Sequence, residues 1–248
     1  MFKTGCLLVM MKAAERTASR LVRDFGELEK LQGTRNEFKG FVTASQENAE
    51  SKIMYDLSKF KPDYSFLCEE AGAVEGENKA FTWIIDPING KGNLMRAIPY
   101  FAINIALTNN ERAVAGITYD PMRGECFRAE PGSGAYLGNH FRLRTSSREQ
   151  IAGAVIAVQS DHEIDLQLAK KGATVRRTGS TALDIAYLAA GKYDAVISKG
   201  ARIWDMVSGE ILVREAGGFW DAAQAEDGSY NLVAASSARL LNIVKECL

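Results

Sequence analysis

The sequence predicts a layered α/β fold built from two closely joined halves. Three observations predict it. Apolar residues recur at helical spacing up to residue 60, the period then changes to strand-like alternation over 81–137, and the rest alternates strands with helices. The halves divide as 1–140, an N-terminal α+β half, and 141–248, a C-terminal α/β half, within one compact unit. A chain of 248 residues is long enough to bury a substantial core.

The elements follow in order. Over 7–31, Met11, Ala14, Ala18, Leu21, Val22 and Phe25 share one face, which is helical spacing. Ala49, Ile53, Leu57 and Phe60 repeat that pattern over 46–60. "FTWIID" (81–86) is a mostly apolar strand, and "FAINIAL" (101–107) alternates. "AVAGITYD" (113–120), "GECFRAE" (124–130) and the candidate strand "GAYL" (134–137) complete an antiparallel meander. The second half reads as strand 152–158, helix 181–192, strand 193–198, helix 205–218, strand 230–235 and a helix over the last twelve residues.

Composition narrows the function classes. The net charge of -1 gives no overall basic excess for nucleic acid. Cys6, Cys68, Cys126 and Cys247 form no C-x-x-C, and two histidines do not make a His-rich zinc site. Scattered cysteines fit a reducing compartment, so cytoplasmic residence is expected. The apolar run Cys6 to Met11 is too short to span a bilayer, and no membrane association is expected.

Four acids sit where strands meet turns or helices: Glu69 and Glu70 after "YSFLC", Asp86 at the end of "FTWIID", and Asp205 after "ARIW". Strand ends are where α/β proteins present ligands, and Mg²⁺ takes oxygen ligands from separate segments. Each acid also has a plainer reading. Asp205 suits a helix cap, Glu69 and Glu70 a solvated turn, and Asp86 before Pro87 a turn opener.

"WIIDPINGKGNL" (83–94) resembles the W-x-[IV]-D-P-[IL]-D-G-T-x-N-[FY] signature of the inositol monophosphatase family, Mg²⁺-dependent and lithium-sensitive phosphatases. "LCEEAGA" (67–73), "DPMRGECFRAEPGSGAYLG" (120–138), "GSTALDIAYLAAGKYDA" (179–195) and "IWDMVSGEILVREAGG" (203–218) resemble further family segments, in the family's order. The resemblance implies a layered α-β-α-β-α fold, a homodimer, and two-metal hydrolysis of a small phosphate ester. It implies Glu69, Asp86 and the Ile88 carbonyl as ligands of a first Mg²⁺, and leaves Asp86 and Asp205 from a second set. It places the Gly90, Lys91 and Gly92 N–H groups at the phosphate or an inorganic anion, and Gly179, Ser180 and Thr181 beside the substrate's ring.

The sequence departs from that pattern at three linked positions. Asn89 stands where the family has an Asp ligand of the second metal, Lys91 where it has the Thr that orients the attacking water, and Gln46 where it has that Thr's Asp partner. Two negative charges are lost and one positive charge is gained. Close Mg²⁺ ions need that negative charge, whereas an ammonium at position 91 can reach the Glu69/Asp86/Asp205 cluster in place of a metal. Cys68, Gly92 and Leu94 are smaller departures, and Ser198 replaces an acid that contacts inositol in some members. The expectation is therefore a family member with weak or absent metal-dependent catalysis, holding one Mg²⁺ at most and retaining anion binding or a regulatory role. The alternative is an active phosphatase of a sugar or inositol phosphate with altered metal use. Some bacterial members are associated with the transcription machinery independently of phosphatase activity, which makes that machinery a candidate partner, while direct binding of nucleic acid is not expected.

Overall fold

The computed structural model describes residues 5–30, 35–159 and 162–248. Helices α1 (Cys6–Lys30) and α2 (Arg35–Phe60) come first. Then follow β1 (Tyr64–Cys68), β2 (Gly72–Val74), β3 (Asn78–Asn89), the one-turn helix α3 (Lys91–Leu94), β4 (Ala102–Asn109), β5 (Arg112–Asp120), β6 (Glu125–Glu130), β7 (Gly134–Leu137) and β8 (Phe141–Arg142). The remainder is β9 (Val155–Gln159), α4 (His162–Lys170), β10 (Thr174–Arg176), α5 (Thr181–Ala189), β11 (Ala195–Ala201), α6 (Ile203–Glu215), β12 (Phe219–Gln224), β13 (Tyr230–Ala235) and α7 (Ala238–Lys245).

The eight-stranded sheet runs β2-β1-β3-β4-β5-β6-β7-β8, and the five-stranded sheet runs β10-β9-β11-β13-β12. From β3 to β8 the pairing is the antiparallel meander that the alternation predicts, while β1 joins β3 in parallel. Side chains alternate between two cores. On β4, Ile103, Ile105 and Leu107 face α1 and α2, whereas Ala102 and Ala106 pack toward α5 and α6. The five-stranded sheet shares α5 and α6 on its inner face, and its outer face packs on α4 and α7. The layers are α-β-α-β-α.

Small residues let the middle layer approach. A Cβ at Gly116 would lie 2.8 Å from the Ser208 Cα, and one at Gly209 would lie 2.4 Å from Ile185 Cγ2. In an open helix, Gly→Ala gains about 1 kcal/mol. Here the buried Ile185 cannot retreat, and overpacking costs about 1–3 kcal/mol. Gly209→Ala is therefore expected to lower stability by about 1–2 kcal/mol in urea unfolding.

Several sequence expectations change. α2 begins at Arg35 rather than 46, because the apolar signal is weak before Ala49 although Val42 is buried. Val22 and Phe60, assigned to buried helix faces, are exposed at 39% and 36%. β2, β8, β10, β12 and α4 were not anticipated; the first three have only two or three residues, too few to show a period. Residues 1–4 and Leu31 lie outside the described residues. No helix among the described residues is long and apolar enough to cross a membrane.

Candidate functional site

The site forms where β1, β3, α3, α5 and α6 end near one another. β1 ends at Cys68, and the turn after it carries Glu69 and Glu70. Glu50, buried on α2, holds that turn: its carboxylate accepts the Glu70 N–H at 3.0 Å and the Ala71 N–H at 2.7 Å. Burial is the largest influence on the Glu50 carboxyl and raises its pKa, with Glu70 and Glu69 adding to the rise.

Asp86 lies near the end of β3, opposite Asn104 of β4, where the register shifts before Asn89. Pro87 cannot donate to a ladder, so this is where the pairing breaks. The Asp86 carboxylate accepts the Ile88 N–H at 2.9 Å and closes the turn locally. Gly90 follows with φ 106, and a Cβ there would crowd Tyr100 O, Phe101 Cβ and Ser180 Cβ at 3.1–3.2 Å. Glycine is required at 90, whereas at Gly92 a Cβ would meet open space.

Asp205 was expected to open its helix. It is instead the third residue of α6, which Arg202 precedes as N-cap. Its carboxylate reaches back to the Arg202 N–H at 2.6 Å, so it caps the helix from inside the first turn. Its other oxygen faces the site. Asn104 ties this turn to the sheet by donating to the Trp204 carbonyl at 2.6 Å.

The departed residues occupy the centre. Asn89 Nδ2 donates to Asp86 Oδ2 at 2.9 Å and to Asp205 Oδ1 at 2.8 Å. Asn89 Oδ1 accepts the Ala182 N–H at 2.9 Å and the Ser180 hydroxyl at 2.8 Å. The amide orientation follows from this, because the Ala182 N–H can only donate and so faces the oxygen. The Asn89 oxygen therefore faces α5, and its nitrogen lies between two carboxylates.

Lys91 Nζ lies 2.8 Å from Glu69 Oε1 and 2.7 Å from Glu70 Oε1. Glu70 Oε1 also accepts from Gln46 Nε2 at 3.0 Å, so Gln46 and Lys91 meet on one oxygen. The expected reach of Lys91 into the acid cluster goes through Glu69 and adds Glu70; Asn89 is the residue that touches Asp86 and Asp205. Burial pulls the Lys91 pKa down, but the bonds to Glu69 and Glu70 outweigh it and the net shift is upward. Lys91 is a fixed cation at neutral pH.

The carboxyls themselves are perturbed. Burial, then Glu69 and Asp205, holds the Asp86 pKa well above the usual carboxylate range. Burial and the nearby Glu69 push Asp205 up to about 6, against the opposing Arg202 N–H bond. Glu69 Oε2 is buried without a hydrogen-bond partner. Among the described residues, no group of three or more His, Cys, Asp or Glu side chains is set out to hold a metal ion.

On the far wall, Ser180 caps α5 and is turned inward, its hydroxyl engaged with Asn89 and the Leu183 N–H. Thr181 begins α5 and is partly exposed. Gly179 has φ 88, and a Cβ there would lie 2.9 Å from the Asn93 amide. Asn93 was not singled out in the sequence. It donates to Tyr100 O at 2.6 Å and Thr178 O at 2.7 Å, tying α3 to the Gly179 segment. Its place in the N of "GKGNL" was the signal available.

Asp184 was also missed. Buried on α5, it accepts from Tyr100 Oη at 2.9 Å, Gln159 Nε2 at 2.8 Å and Thr178 Oγ1 at 2.7 Å. Burial outweighs these bonds and raises its pKa to about 6. The folded state then holds a proton that the unfolded state, at its ordinary value of about 3.9, releases. Stability from this group is complete below pH 4 and is lost as pH rises to about 6, by up to about 3 kcal/mol. Asp184→Asn is expected to flatten that segment of the stability–pH curve from urea unfolding. Cys68 is fully buried, and burial pushes its thiol up to about 12, which makes it an inert filler beside the acids. Ser198 is buried in β11.

The geometry matches known proteins over its whole length. The model of the inositol monophosphatase family matches residues 5–244. The inositol-1-monophosphatase of Caulobacter vibrioides is 41% identical over 220 residues, covering 84% of this chain and 86% of that protein. The Nus factor SuhB of Haemophilus influenzae is 33% identical, covering 98% of this chain and 96% of that protein. The crystal structure of the extragenic suppressor protein suhB from Bartonella henselae superposes with a TM-score of 0.86 at 33% identity, covering 98% of this chain and 99% of the other. With the five layers and the turn motifs in the same order, the chain belongs to the inositol monophosphatase family.

Proposed function

We propose that this chain has lost efficient two-metal phosphoester hydrolysis and acts as a binding or regulatory member of its family. One observation carries the reading: the Asn89 amide nitrogen bonds both Asp86 and Asp205. A divalent cation needs oxygen donors, and the group between these two acids is a hydrogen-bond donor. The donor set around Asp205 does not fit a second Mg²⁺. Lys91 holds Glu69 and Glu70, and the Thr and Asp that would prepare a water molecule are absent.

A single Mg²⁺ fits better. Glu69 Oε2 is a buried, unpartnered acceptor, and Asp86 with the Ile88 carbonyl completes the family's first set. Such an ion supplies charge stabilisation to a phosphoryl oxygen when bound. This oxygen is the specific support for the second reading, an active phosphatase with altered metal use. In either case the Gly90, Lys91 and Gly92 N–H groups, at the first turn of α3, are assigned to a phosphate or other anion. Gly179, Ser180 and Thr181 are assigned to the substrate-side wall. The relatives named Nus factor SuhB support a partner in the transcription machinery, and the family pattern supports a homodimer. Four buried cysteines, none of them in a disulfide, support the cytoplasm as its compartment.

The test is phosphate release from inositol 1-phosphate, fructose 1,6-bisphosphate and an aryl phosphate, with Mg²⁺ or EDTA. Turnover well under about 1 s⁻¹, the low end for enzymes, is expected in both. Mg²⁺-dependent, lithium-inhibited release at ordinary rates overturns the proposal and selects the second reading.

A further inference from the structure

We propose that the groove between α1 and α2 binds an oligophosphate, a small molecule carrying at least two phosphate groups. The groove holds about 470 Å³, within the range of small-molecule sites. Four cations line it: Arg16, Arg20 and Arg23 from α1 and Lys52 from α2; no acid does. The three arginines recur at helical spacing and form a stripe about 10 Å long. That length suits several phosphates better than one. Guanidinium forks match phosphate oxygens, and bind them two at a time.

The floor supplies a second, independent sign. Thr17 lines the groove at 2% exposure, and its hydroxyl has no hydrogen-bond partner. A buried hydroxyl without a partner is costly, and a ligand oxygen would satisfy it. Two acids beside the groove pair with three of its four cations. Arg16 and Lys52 reach Asp56 at 3.5 and 3.1 Å, and Arg20 reaches Asp24 at 4.0 Å. The cations are exposed, but the Asp56 and Asp24 side chains are only 8% and 16% exposed, so a ligand must share Arg16, Lys52 and Arg20 with them, and Arg23 alone of the four has no acid beside it in these pairs.

The groove is separate from the carboxylate cluster. Ser45 and Asn48 of α2 line it, while Gln46 and Glu50 of the same helix reach Glu70 and the turn at 70–71.

Titration calorimetry on the full chain tests this with inorganic tripolyphosphate, ATP, inorganic monophosphate and a hexaglutamate peptide. Tripolyphosphate is expected to bind at least about tenfold more tightly than monophosphate, and more weakly as salt rises. Equal binding of ATP means that the phosphates alone are read; tighter binding of ATP identifies a nucleotide. The double variant Arg20→Glu, Arg23→Glu is expected to weaken tripolyphosphate by at least about tenfold, and Thr17→Val to weaken it severalfold. Arg214→Ala, on α6 outside both the groove and the cleft, should leave it unchanged. Circular dichroism checks that the variants fold; if the double variant does not, Thr17→Val and Arg23→Gln carry the test. No binding, binding untouched by these variants, or tighter binding of hexaglutamate overturns the proposal. So does a double variant that turns a dimer into a monomer by light scattering, which would make the groove a subunit interface.

Discussion

Replacing Gln46 by Asp, Asn89 by Asp and Lys91 by Thr together is expected to create a second Mg²⁺ site and so to bind Mg²⁺ more tightly than the parent chain. The parent satisfies its acids internally. Asn89 donates to Asp86 and Asp205, Lys91 pairs with Glu69 and Glu70, and Gln46 donates to Glu70. The triple variant removes all of these donors and adds two carboxylates, so only a cation can offset the repulsion. At a Mg²⁺ concentration about a hundredfold above Kd, ligand linkage stabilises the fold by about 2.7 kcal/mol. For a chain of this size that is a rise in Tm of about 5–10 °C. Each single reversion is expected to add little binding, since Gln46 and Lys91 share one Glu70 oxygen and Asn89 holds the other acids. Calorimetry and thermal scans with Mg²⁺ or EDTA read the result. An equal Mg²⁺ response in parent and triple variant would remove the basis for the site assignment.

Asn89→Asp alone is expected to destabilise the protein by about 3–5 kcal/mol at pH 7 in EDTA, the range for breaking a buried charged network. One carboxylate oxygen would keep the bonds from Ser180 and Ala182. The other would face Asp86 and Asp205 without a proton to donate. The loss should shrink toward pH 5, because burial already raises the pKa of both acids and protonation restores a donor between them. Urea unfolding at the two pH values measures this. A variant as stable as the parent at pH 7 would show that the Asn89 nitrogen is not what holds the acids together.

Most of the architecture was legible in the chain. The alternation of "FAINIAL" marked β4, and its alanines mark the face that admits α5 and α6. The departures at 89 and 91 were also visible, since they break a dense motif, and Gln46 was found only as the partner position that the family resemblance assigns to residue 91. Short strands such as β2 and β10 were not, because three residues show no period and are held by their neighbours. Asn93 and Asp184 escaped notice for a related reason. Each works through bonds to segments distant in sequence, Asn93 to Thr178 and Asp184 to Gln159 and Tyr100.

The sequence by itself determined the layered fold, the family, and the loss of one carboxylate ligand with the gain of an ammonium in one loop. Only the tertiary structure decided which acid each new group serves. From residue types, Lys91 was free to meet any of the clustered acids, and Asn89 was read only as the loss of a carboxylate ligand. The Ala182 N–H, delivered by α5 from more than ninety residues away, claims the Asn89 oxygen and turns its nitrogen onto Asp86 and Asp205. Lys91 is then left with Glu69 and Glu70, which Glu50 holds in place from α2. Donor direction is set by what packs behind a side chain, and that information lies in the fold.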